Sequence, residues 1–287
     1  MGLFELVPNL SEGRRDEVVT EAVRAVEATG ARVLHRTSDP VHHRSVLTIA
    51  GDERSVLDAA VALAEIAVRH IDLRVHRGEH PRMGALDVLP FVPLRDATMD
   101  QAVALAHEAG RRIWERLRVP CHFYGEAARS PERRSLAVVR RGGFEALAER
   151  FADPAQRPDV GDVPAHPTAG ATAIGARKIL IAFNVELATG EIEIARSIAR
   201  TLRERDGGLR TLRAMAFRLA DDRVQVSFNV TDHRATPLPR IMEAVRLLAA
   251  ERGVAVLRGE LIGMTPLAAL EPAAFAYLRA VPAWPSP

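Results

Sequence analysis

The sequence predicts an α+β protein built from two ferredoxin-like (split βαβ) α/β subdomains, and three observations lead there. Within residues 4–94 the hydrophobic period runs strand, helix, strand, strand, helix, strand, the order of that fold. Residues 151–173 then lose all period in a stretch rich in proline, glycine and aspartate. From residue 179 to 257 the same succession of elements returns without any repeat in sequence. The expected division is an N-terminal subdomain over residues 1–177, which includes the irregular segment 151–173, and a C-terminal subdomain over residues 178–287. Two such layers create a groove between them, and clefts between domains are favoured ligand sites.

Residues 4–7 read as a short buried strand ended by Pro8, which has no N–H to donate. Asn9 and Ser11 stand where helix caps are expected, ahead of a helical face of Val18, Val19, Ala22, Val23 and Val26. Gly30 ends that helix. A strand over 32–35, a polar loop over 37–43 and an alternating, half-buried strand over 44–50 follow. An amphipathic helix over 55–70 leads through residues 76–88 into a strand at 86–94, whose prolines suit a sheet edge or a strand end. A helix over 99–116 and a strand over 119–124 extend this half. The second half predicts strands at 179–185, 214–219, 224–230 and 254–257, with helices at 191–205 and 238–250.

Composition narrows the class. The chain has 287 residues, enough for two ordinary domains with sizeable cores, and its 47% apolar and 26% charged residues are those of a folded globular protein. The formal charge of +2 is small and the basic residues are dispersed, so a nucleic-acid partner is not expected. Lys178 is the only lysine, so nearly all of the 39 basic residues are arginine. Cys121 stands alone, which rules out a disulfide within the chain and suits a reducing compartment. No run approaches the roughly 18 apolar residues of a membrane span. Nor is there a basic amino-terminal region followed by an apolar core. A cytoplasmic protein with no membrane partner is expected.

Residues 76–88 gather two histidines, two arginines, two carboxylates, two glycines and a proline between two apolar segments. Pro81 fixes its own backbone angle and pushes His80 toward an extended conformation, while Gly78 and Gly84 allow turns or close backbone approach. An imidazole so held can take and return a proton near neutrality. His76 and His80 have the spacing of a helical metal pair, but Gly78 and Pro81 oppose a helix there and no third ligand is suggested, so no metal is expected.

The run Glu79-His80-Pro81-Arg82-Met83-Gly84-Ala85-Leu86-Asp87-Val88 resembles the signature of the glutamate formiminotransferase family, the folate-dependent transferases of histidine breakdown. Shorter matches follow in order: Val7-Pro8-Asn9-Leu10-Ser11-Glu12-Gly13, Tyr124-Gly125-Glu126-Ala127-Ala128, Gly170-Ala171-Thr172, Gly175-Ala176-Arg177-Lys178, Ile181-Ala182-Phe183-Asn184 and Leu261-Ile262-Gly263. The resemblance implies transfer of a formimino group from N-formimino-L-glutamate to nitrogen 5 of tetrahydrofolate, the co-substrate, by a homodimeric enzyme of two related α/β subdomains. It also implies a stand-alone form without the cyclodeaminase domain of some relatives.

His80 takes the position of the family's catalytic acid/base. It would accept the proton that the attacking nitrogen sheds and return one to the departing glutamate nitrogen, a contribution of about 10²–10⁴-fold. Asp39 corresponds to an acidic site residue and could orient His80 or pair with the cationic amidine, although Ser38-Asp39-Pro40 is also an ordinary turn. Both substrates are anions, and arginine grips carboxylates through two parallel donors, so Arg44, Arg82 and Arg177 are candidate substrate ligands, with Lys178 beside them. Tyr124 and Glu126 follow a predicted strand end, where α/β folds place site residues. Glu126 could assist proton transfer, bind a substrate amino group, or serve only as the first-turn carboxylate of the next helix. The stretch 161–170 matches the folate-contacting segment, with Gly161, Pro164, His166, Pro167, Thr168 and Gly170 as candidate contacts. Taken alone it also reads as a linker.

Three positions depart from the family's pattern. His43 stands where asparagine is usual before Arg44, and Asp159-Val160-Gly161-Asp162 replaces Asp-Phe-Gly-Pro, which removes an aromatic and a proline. Two further readings stay open: formyl transfer between 5-formyltetrahydrofolate and glutamate, and a non-catalytic folate-binding protein.

Overall fold

The structure is a computed structural model that describes residues 2–162, 164–219 and 222–280. It divides into two compact units, one ending at Lys178 and the other beginning at Ile179.

The first unit runs β1 (Phe4–Leu6), β2 (Asn9–Leu10), α1 (Asp16–Glu27), β3 (Arg32–Asp39), β4 (Arg44–Gly51), α2 (Glu53–His70), β5 (Leu86–Pro93), α3 (Met99–Leu117), β6 (Cys121–Gly125), α4 (Leu136–Val139), α5 (Leu147–Ala152) and β7 (Thr172–Ala176). β1 and β2 are two halves of one strand, both lying antiparallel between β4 and β5. β3 flanks β4, so the expected βαββαβ core is present, with its fourth strand beside the first, the first beside the third and the third beside the second. β7 then adds to β5 in parallel, and β6 adds in parallel to β7. Helices α1, α2 and α3 bury Phe4, Leu6, Leu47, Ile49, Leu63, Phe91 and Phe123. A smaller cluster of Met83, Val88, Tyr124, Val139, Leu147 and Phe151 involves α4 and α5.

Several expectations are corrected. β5 is an interior strand, not an edge; Pro93 stands at its end as expected, but Pro90 lies within it. Pro90 is tolerated because it faces the interruption at Val7 and Pro8, where Val7 N donates to its carbonyl at 3.4 Å and no donor is required of the ring nitrogen. Asn9 and Ser11 do not cap α1. Asn9 is in β2, the Ser11 hydroxyl donates to the Gly84 carbonyl at 2.7 Å, and α1 begins after Arg15 without a side-chain cap, the Glu12 carboxylate accepting from the N–H groups of Arg14 and Arg15 ahead of it at 2.9 and 3.0 Å. β3 continues through Asp39, its polar end held by a 2.8 Å hydroxyl contact between Ser38 and Ser45. β7 occupies what the sequence reads as the end of an irregular segment.

The second unit runs β8 (Ile181–Leu187), α6 (Ile192–Leu202), β9 (Leu212–Arg218), β10 (Val224–Val230), α7 (Leu238–Ala250), β11 (Val256–Ile262) and α8 (Leu267–Ala280). Its antiparallel sheet has the order β11-β8-β10-β9, the same arrangement as the core of the first unit. Phe183, Val185, Leu187, Ile198, Val226, Phe228, Ile241 and Val245 form its core. β11 starts later and runs further than expected, and α8 was not expected at all.

Candidate active site

The deepest element of the site is Asp87, placed by β5 and fully shielded from solvent. Its carboxylate accepts from Arg44 Nη1 at 2.8 Å, Arg140 Nη1 at 3.0 Å and the Met83 N–H at 2.8 Å. Burial pushes its pKa up, but the two guanidinium charges and the Met83 amide outweigh that and hold it below the usual carboxylate range. Arg44, the first residue of β4, also donates from Nε to Asn9 Oδ1 at 2.9 Å. Burial lowers its pKa, and Asp87 works against that. Two arginines against one buried carboxylate leave a net positive floor.

His80 feels that floor. Its Nδ1 lies 2.8 Å from the Pro81 carbonyl, so Nδ1 carries the proton and Nε2 presents a lone pair. Burial, reinforced by the charges of Arg44 and Arg140, lowers its pKa to about 4, with the Pro81 hydrogen bond and Asp87 pulling the other way. Near neutrality the ring is therefore an uncharged base. The edge of His42 meets it, the centroids 6.1 Å apart at 63°. Asp39 reaches this pair through His42. Its carboxylate accepts from the N–H groups of Val41 and His42, each at 2.8 Å, and contacts His42 Nδ1 at 2.8 Å.

The loop carrying His80 interlocks with the tip of the β3–β4 hairpin. A Cβ on Gly78 would lie 2.4 Å from the His42 carbonyl oxygen, and one on Gly13 would lie 2.2 Å from that of Asp39. His76 Nε2 donates to the His43 carbonyl at 3.0 Å, and its Nδ1 accepts from Arg82 Nε at 3.1 Å. Burial lowers the pKa values of both His76 and His43. The two rings pack with centroids 4.2 Å apart. His43 adopts φ 50°, a left-handed conformation that asparagine enters more readily than histidine, and its Nδ1 accepts from the Gly13 N–H at 3.1 Å. Arg82 closes the brace, gripping both oxygens of Glu145 at 2.9 and 2.8 Å.

Tyr124 enters from β6, its ring laid across Gly175 of β7, where a Cβ would come within 2.5 Å. Burial raises its hydroxyl pKa, while Arg177 and Arg140 lower it. Arg177 follows β7 directly, is half-buried, and donates to the Lys178 carbonyl at 3.0 Å. Lys178 is exposed. Glu126 is exposed too and pairs with Arg134.

The candidate folate segment is tied to the signature loop by main chain. Gly84 bridges Gly170, Ala85 N donates to the Ala169 carbonyl at 2.9 Å, and Leu73 N donates to that of Thr168 at 2.8 Å. His166 Nδ1 accepts from the Ala169 N–H at 3.0 Å, and burial lowers its pKa. Pro164 and Pro167 are exposed. Gly161 takes φ 95° against the Trp114 ring, and Val160 packs on the first core. Among the described residues no group of three or more His, Cys, Asp or Glu side chains is placed to hold a metal, and no helix is long and apolar enough to cross a membrane.

The structure thus gathers His80, Arg44, Tyr124 and Arg177 around one buried charge cluster and sets Glu126 and Lys178 at the surface. It adds Asp87 and Arg140, to which the sequence assigned no role, and Asn9, expected as a helix cap and found instead on Arg44. Asp87 carried a signal, an acid inside an apolar strand, which calls for a cationic partner. Arg140 carried none.

The N-terminal subdomain of the formiminotransferase domain matches residues 3–177, and a second formiminotransferase domain model matches residues 182–282. The chain is 44% identical to a glutamate formimidoyltransferase of Thermoplasma acidophilum over 97% of its own length and 93% of that protein. It is 40% identical to a glutamate formimidoyltransferase of Streptococcus pyogenes serotype M1, covering 96% of this chain and 93% of that one. A formimidoyltransferase-cyclodeaminase of Rattus norvegicus is also 40% identical, with 96% of this chain aligned to 52% of the larger protein. Matched over both halves in order, the chain belongs to the formiminotransferase family.

Proposed function

We propose that the protein transfers a formimino group from N-formimino-L-glutamate to tetrahydrofolate, giving 5-formiminotetrahydrofolate and glutamate in histidine degradation. The observation that carries this is the uncharged His80, anchored at Nδ1 by the Pro81 carbonyl and set over the Arg44–Asp87–Arg140 cluster. Nitrogen 5 attacks the amidine carbon and its proton passes to His80 Nε2. The tetrahedral intermediate collapses as the imidazolium returns a proton to the departing glutamate nitrogen. A ring of pKa about 4 is a weak base in the free protein. Two anionic substrates supply the negative charge that offsets Arg44 and Arg140 and raises its basicity when the reaction needs it.

In this reading Arg44, Arg177 and Tyr124 face the substrate carboxylates, with Lys178 and Glu126 at the entrance. Asp39 acts through His42, and Arg82 keeps the loop in shape for binding. Gly161, Pro164, His166, Pro167, Thr168 and Gly170 contact folate, and no metal takes part. Residues 1–177 and 178–287 serve as the two subdomains of a cytoplasmic homodimer.

Steady-state assays test this. Turnover of formiminoglutamate with tetrahydrofolate, lost on His80→Ala, is the expected result. Turnover of N-formyl-L-glutamate alone would assign the formyl reaction instead. Folate binding without turnover of either donor would make this a binding protein.

A further inference from the structure

Apart from the cluster around His80, the first unit contains a cavity of about 390 Å³ lined by residues between 122 and 156. Arg133, Arg141 and Arg150 line it, Val138 and Val139 form an apolar wall, and His122 of β6 lies at its base. His122 is 1% exposed, and its Nε2 is buried without a hydrogen-bond partner. Burial, with the charges of Arg133 and Arg150, lowers its pKa to about 3. Arg150 is half-buried, and its partners are neutral: Gln156 Oε1 at 3.3 Å and the Arg141 carbonyl at 3.1 Å. Its pKa is lowered by burial and by the charges of Arg133 and Arg141. Arg133 has one carboxylate, Asp159 at 2.9 Å. Glu132 also lines the cavity, bonded to Ser130 and to its own backbone, so of the lining groups three are guanidinium and one is a carboxylate, with Asp159 pairing Arg133 from outside and His122 Nε2 left without a hydrogen-bond partner.

Crowded, partly desolvated cations without matching acids are costly, and arginine forks are suited to planar or tetrahedral oxyanions. We propose that this cavity binds a small molecule bearing carboxylate or phosphate groups, at a site separate from the one around His80. The anion lies between Arg150 and Arg141, and the His122 ring provides a donor beneath it. Occupancy has a path to the other site. Arg141 lines the cavity, while the preceding residue, Arg140, donates to Asp87.

Calorimetric titration of the full-length protein with inorganic phosphate and, separately, with citrate tests this, alongside NMR of the His122 imidazole. The expected result is a Kd below about 1 mM for at least one probe, a shifted His122 signal, and affinity weakened at least about tenfold by Arg150→Gln. Phosphate binding assigns a phosphorylated ligand, and citrate binding a polycarboxylate. If Arg150→Gln does not fold, the exposed Arg141→Gln serves, with the same weakening expected. Absence of binding by both probes overturns the proposal. So does heat without movement of the His122 signal, or affinity unchanged by the arginine substitution that folds.

Discussion

The guanidinium of Arg44 donates to the carboxylate of Asp87 across 2.8 Å, with both side chains nearly closed off from water. Neither residue completes the pair alone. Arg140 also donates to Asp87 Oδ2 and the Met83 amide to Oδ1, and Asn9 accepts from Arg44 Nε. The pair therefore sets the charge beneath His80 and the mutual placement of β2, β4, β5 and the turn after α4.

Replacing Asp87 with asparagine leaves Arg44 and Arg140 buried against a neutral amide. Breaking a buried pair in this way costs about 3–5 kcal/mol, so urea unfolding should show a loss of that order. A loss under about 1 kcal/mol would mean the arginines reach water without it.

His80→Ala should lower kcat by about 10²–10⁴-fold while leaving the circular dichroism spectrum and the unfolding midpoint essentially unchanged. His80→Asn should do the same, since the amide fills the space without basicity. Activity retained within a few-fold in both would remove His80 from proton transfer.

The folded-state pKa of His80 is depressed to about 4 from its ordinary 6.5. Between those values the unfolded chain takes up a proton that the folded ring refuses, so this group's share of stability is complete above 6.5 and is lost as pH falls toward 4. An NMR titration of the free protein should find the His80 midpoint near 4. Arg44→Met should move it upward, because a nearby positive charge is gone. A midpoint already near 6.5 in the parent protein would contradict the burial and charge assigned to the ring.

Gly175→Ala puts a methyl group within 2.5 Å of the Tyr124 ring, which is enclosed in the cluster with Val88 and Phe151. Overpacking of that kind costs about 1–3 kcal/mol, and displacing Tyr124 should also raise KM. Ala173→Gly, on the same strand, should reduce stability without the KM effect. Equal KM values in the two variants would show that Tyr124 does not face the substrate.

The βαββαβ order of each unit was legible because helices α2 and α7 and strand β10 carry clean periods, whereas β4, expected to alternate, is buried at five of its eight positions as an interior strand. β7 was not, since Thr172, Ala173, Ile174, Gly175 and Ala176 include few strand formers and are buried on both faces, so no alternation marks them. The interior place of β5 was hidden by its prolines, whose tolerance depends on Pro8, a residue distant in sequence. Within the site, His80 was legible from Pro81 and its motif. Arg140 was not, because its partner Asp87 lies 53 positions away and no local pattern links them.

Gly78 backs onto the His42 carbonyl and Gly13 onto that of Asp39, so the reactive loop borrows its shape from a hairpin tip remote in the chain. Anyone transplanting the histidine motif into another scaffold would have to carry that tip along with it. Moved alone, the ten-residue signature would be a peptide with the right letters and no mould.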